Sequence, residues 1–88
     1  MKKIRSAIIN GKRWRINWTK PNTGDFALCH HNLHMIQIDP NVDEITLTSI
    51  VADEVCHVHF PQLDNEYVDT FSDDVAKVMR DIELIADE

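Results

Sequence analysis

Eighty-eight residues, 43% hydrophobic and 27% charged, have the composition of an ordinary globular chain and suffice for one small domain spanning residues 1–88. At this length folding removes only about 60–65% of the unfolded surface from water, so a core forms but is thin. The net charge of −6 disfavours a general nucleic-acid binder, and no apolar run approaches the ~20 residues of a membrane span.

The start, Met1-Lys2-Lys3-Ile4-Arg5, lacks the continuous apolar stretch of a signal peptide, so the chain is expected to be soluble and cytoplasmic. Two cysteines, Cys29 and Cys56, are too few for a disulfide framework and lack Cys-x-x-Cys spacing, which agrees with reduced thiols. Charge is divided along the chain. Residues 1–20 carry seven bases and no acid, whereas residues 21–88 hold Lys77 and Arg80 against all fifteen acids. The bases alternate with apolar residues, which favours complementarity to acids over a nucleic-acid surface.

Residues 4–9 are rich in β-branched side chains and lead into Asn10-Gly11, the pair that a type I′ turn requires. Residues 13–18 then alternate, with Trp14, Ile16 and Trp18 on one side and Arg13, Arg15 and Asn17 on the other. A β-hairpin follows from this. Residues 20–25 are turn chemistry, residues 26–33 are expected as a loop carrying Cys29, His30 and His31, and residues 34–38 as a third strand closed by Asp39-Pro40.

Two helices come next. Asp43 is the expected N-cap of the first, with Val42 stapling to Leu47. Leu47, Ile50, Val51, Val55 and Val58 form its apolar stripe, and Pro61 ends it. Asp64 is the expected cap of the second, with Leu63 stapling to Val68. Its stripe is expected to run through Tyr67, Phe71, Val75, Val78, Met79, Ile82 and Ile85. The order predicts an α+β fold, a β-hairpin plus a third strand packed on two α-helices.

The first helix contains Asp53-Glu54-Val55-Cys56-His57. Asp53 and His57 are one turn apart and share a face, the spacing at which a His-Glu-x-x-His helix holds zinc while its glutamate activates water. By composition alone the pattern Asp-Glu-x-x-His arises by chance in about 3 of 100 such chains, so the bare spacing is weak. Pro61 breaks the chain soon after, and a second helix packing back on the first brings Glu66 within reach of His57 as a third donor, leaving a fourth position for water. Cys56 and His57 diverge by about 100° on a helix, which argues against a Cys-His nucleophile. Asp53 and His57 also make an ordinary i,i+4 ion pair, and Glu66 also complements the positive end of its helix.

The order of these features resembles the minimal zincin-like domain of small, mostly phage-encoded metallopeptidases. The resemblance rests on Ile9-Asn10-Gly11-Lys12-Arg13-Trp14-Arg15-Ile16, on Gly24 and Cys29 before Ile36-Gln37-Ile38-Asp39, on the motif helix, and on Phe60-Pro61-Gln62-Leu63 before Asp64-Asn65-Glu66-Tyr67-Val68. It covers nearly the whole chain. It implies zinc-dependent peptide hydrolysis with Glu54 as general base and with His57 and Glu66 as metal ligands. Asp53 stands where the resemblance calls for the first histidine. A set of Asp53, His57 and Glu66 puts two carboxylates on the ion, which acidifies bound water less and shifts preference from Zn2+ towards harder divalent ions. His59, His30, His31 and His34 are the histidines that could stand in for the missing one.

Two functional expectations follow. One is a metallopeptidase acting on a peptide or protein. The other is a metal-free pseudo-peptidase, an acidic interaction module that meets a basic patch on a host protein. Neither involves nucleic acid or a membrane.

Overall fold

A computed structural model describes residues 2–85, and its chain divides into two compact units, residues 1–40 and 41–88. The first is a four-stranded sheet and the second a pair of helices, an α+β architecture.

Strands β1 (Ser6–Ile9) and β2 (Lys12–Asn17) form the expected hairpin. Asn10 at φ 51° and Gly11 at φ 76° both take the left-handed conformations of its turn. The alternation in β2 holds as read: Trp14 is buried and Ile16 half-buried, while Arg13, Arg15 and Asn17 are exposed. Just past the strand, Trp18 anchors the chain's start by donating its indole N–H to the Ile4 carbonyl at 2.8 Å.

The sheet has four strands where the sequence suggested three. Part of the expected loop 26–33 is strand β3 (Ala27–His30), followed by a 3-10 turn (His31–Leu33) and then β4 (Met35–Ile38). Strand order is β1-β2-β4-β3, with β4 parallel to β2 and antiparallel to β3. Ala27-Leu28-Cys29-His30 carries little β-propensity. It is extended because β4 supplies a hydrogen-bonded neighbour, a tertiary cause that local sequence does not display. His34 was expected to open the last strand. Instead it takes φ 46° and makes the turn, its ring stacked on Trp14 at 5.0 Å and its carbonyl accepting from the Arg15 N–H at 2.8 Å. The register sets Ile16 beside Ile36, and Ile36 beside Cys29, so that the buried Ile9, Trp14, Ile36 and Ile38 share one face.

Helix α1 (Glu44–His59) starts as expected, with the Asp43 carboxylate accepting from the Thr46 N–H at 2.8 Å. That bond holds the Asp43 carboxyl below its ordinary range. Pro61 stops the helix two residues past His59. Helix α2 (Asn65–Asp81) is capped by Asp64, whose carboxylate accepts from the Glu66 N–H at 2.9 Å.

The two helices pack on each other, but the stripe expected for α2 is rotated. Its buried line is Val68, Ser72 and Ala76, while Tyr67, Phe71, Val78 and Ile82 are exposed. The apolar arc of this helix is wide, and the slimmer residues admit a neighbour more closely than the aromatic ones do. On α1 the buried positions are Ile50 and Glu54, and Val51 faces outward. No helix among the described residues is long and apolar enough to cross a membrane.

Candidate functional site

Asp53 and His57 both project from α1, one turn apart, as their i,i+4 spacing dictates. The Asp53 Oδ1 and His57 Nε2 atoms are 2.9 Å apart, and each side chain keeps about a fifth of its surface exposed. Glu54 lies deeper, at 7% exposure, on the same buried line of α1 as Ile50. Asp53, Glu54 and His57 thus occupy the arc of α1 on which a metal-binding helix carries its ligands and base.

Helix α2 adds acid to this arc. Asp69 is hydrogen-bonded to Asp53, and Asp73 accepts from the Ser49 hydroxyl at 2.8 Å, one turn before Asp53 on α1. Burial of Asp53, then the hydrogen bond with Asp69 and the negative charges of Asp69 and Asp73, push the Asp53 carboxyl up to about 7.

Glu66 sits in the first turn of α2, exposed, its N–H bonded to Asp64 and its carbonyl accepting from the Thr70 hydroxyl at 3.0 Å. It does not join Asp53 and His57 in a three-donor set: among the described residues no three His, Cys, Asp or Glu side chains are arranged to hold a metal ion. As donors, Asp53 and His57 face each other rather than a common point.

The remaining histidines are engaged elsewhere. His30 shares a hydrogen bond with the Gln37 amide oxygen at 3.1 Å, and His31 and His34 pack around Trp14. His59 is exposed at the end of α1, its ring 6.1 Å from that of Phe60. Cys29 and Cys56 are half-buried, with no disulfide between them.

Asp69, Asp73 and Ser49 had not been singled out from the sequence. The signal was present in two matching ladders, Ser49-Asp53-His57 and Asp69-Asp73, each spaced by four residues. Pairing them requires knowing which face of α2 meets α1, and the aromatic stripe pointed to the wrong one. No family model matches the chain, and neither a curated protein nor a solved structure does.

Proposed function

We propose that this chain is a degenerate relative of the small zincin-like metallopeptidases that works by binding a protein partner rather than by cutting one. The observation that carries this reading is the contact between Asp53 and His57. The imidazole nitrogen that would grip a metal meets the Asp53 carboxyl from the neighbouring turn, and that carboxyl is in turn hydrogen-bonded to Asp69. The residue at the first ligand position thus turns towards His57 and Asp69 on the helices themselves.

The partner's chemistry follows from charge. Asp64 at the cap of α2, Glu66, Asp74 and Asp81 along it and Glu44 on α1 are exposed, within residues 21–88, where fifteen acids face two bases. Such a surface steers towards a basic patch on another protein.

The second reading, metal-assisted peptide hydrolysis, is favoured by the placement of Glu54 beside the pair and by the acid gathered around Asp53, since a divalent cation neutralises that acid as a proton does. A fluorogenic peptide library incubated with the chain and one equivalent of Zn2+ separates the two. Superimposable traces for wild type and Glu54→Gln support the binding module. Turnover by wild type that Glu54→Gln abolishes would establish the hydrolase.

A further inference from the structure

The hairpin leaves one long side of the sheet open. In the strand order β1-β2-β4-β3, β1 stands at an edge. The two-residue turn Asn10-Gly11 makes Ile9 and Lys12 a hydrogen-bonded pair, and such pairs alternate along an antiparallel ladder. Arg5, Ala7 and Ile9 therefore turn their main-chain groups to β2. The Ile16 N–H, which donates to the Arg5 carbonyl at 2.9 Å, fixes the same parity. Ser6 and Ile8 turn theirs outward, where nothing among the described residues pairs with them.

Natural sheets blunt such an edge with a charge, a proline or a bulge on the strand itself, and Ser6-Ala7-Ile8-Ile9 has none of these. Its charge stands around it instead. Arg13 and Arg15 lie opposite Ile8 and Ser6 and share their face, and the Arg13 guanidinium reaches over β1 to donate to the Ser6 hydroxyl at 2.9 Å. Arg5 and Lys12 stand at the two ends of the strand. All four bases are exposed, and Ile8 keeps 61% of its surface in water between them. None of the four pairs with an acid among the described residues.

This arrangement selects its occupant. The outward row of N–H and C=O groups is completed by another main chain in extended form, which a nucleic acid cannot supply. A second copy of β1 brings its own arginines against these, since residues 1–20 hold seven bases and no acid. An extended segment rich in Asp and Glu meets neither obstacle. Its backbone continues the ladder, its carboxylates meet Arg13 and Arg15 in forked pairs, and an apolar side chain between them covers Ile8.

We propose that β1 is a docking edge at which an acidic, extended segment of another protein adds as a fifth strand. The inference rests on the hairpin alone and holds whether or not α1 binds a metal.

The probe is a fluorescein-labelled peptide of about ten residues alternating Glu with Val, compared with a Lys-for-Glu version and with an oligothymidylate of similar length. Anisotropy on the full chain reads affinity, amide hydrogen exchange reads location, and circular dichroism verifies folding. The expected result is binding of the acidic peptide alone, with new protection at the Ser6 and Ile8 amides. Arg13→Glu combined with Arg15→Glu should weaken it by at least about 10-fold. Ile8→Pro should abolish it, because proline removes an outward N–H and leaves the bonds to β2 in place. If Ile8→Pro proves misfolded, the exchange pattern of wild type decides. No binding up to about millimolar peptide, binding without protection at Ser6 and Ile8, or binding that folded Ile8→Pro retains would each overturn the proposal. So would indifference to the arginine reversal, or equal or tighter binding of the Lys peptide or the oligonucleotide.

Discussion

The Asp53 carboxyl and the His57 imidazole stand 2.9 Å apart on successive turns of α1, and the same carboxyl is hydrogen-bonded to Asp69 on α2. One residue thus links the motif helix to the helix beside it. Its protonation state follows from that position and has a measurable consequence.

The Asp53 carboxyl is raised from 3.8 to about 7 in the folded chain. Between those values the folded state holds a proton that the unfolded state has released, so its stabilising effect is full below pH 3.8 and fades as pH rises through about 7. Urea unfolding at pH 5 and pH 8 should therefore show wild type losing stability relative to Asp53→Asn as pH rises. A difference between the two proteins that does not change with pH, or grows in favour of wild type, would contradict the assignment.

Ser72 has no exposed surface, and its hydroxyl oxygen has no hydrogen-bond partner among the described residues. Ser72→Ala removes a buried polar group and adds helix propensity, so it should stabilise the chain by about 1 kcal/mol. Ser72→Val overfills the same position and should destabilise by about 1–3 kcal/mol. Urea midpoints at constant slope check both.

Gly11 sits at φ 76° in the hairpin turn, with open space around the position of a Cβ. Steric crowding is absent, so Gly11→Ala incurs only the left-handed backbone penalty, about 1–2 kcal/mol, read as a lower thermal midpoint.

Asp64 caps α2 through the Glu66 N–H. Asp64→Ala should cost about 1 kcal/mol, while Asp64→Ser retains most of the cap. Equal losses for both variants would mean that the carboxylate acts in some other way.

The pieces that were legible in the sequence are those fixed by local chemistry. Asn10-Gly11 specified its turn, the alternation around Trp14 specified its strand, and Asp43, Pro61 and Asp64 bounded the helices. The i,i+4 geometry of Asp53 and His57 was equally local. What escaped was decided across the chain. Strand β3 exists because β4 lies beside it, and His34 turns because Trp14 and Arg15 hold its ring and carbonyl. The face that α2 turns to its neighbour was set by the small side chains of Ser72 and Ala76, against the pull of Tyr67 and Phe71. The acids Asp69 and Asp73 came to the motif through that same rotation.

The most direct measurement is the metal content, by mass spectrometry, of protein purified without a histidine tag, for wild type, Asp53→His and His57→Ala. No bound metal in wild type and near one equivalent in Asp53→His is the expected result, since an imidazole at position 53 returns the motif to two nitrogen donors one turn apart. Near one equivalent in wild type, lost in His57→Ala, would contradict the metal-free reading and make the chain a metalloprotein in its present form.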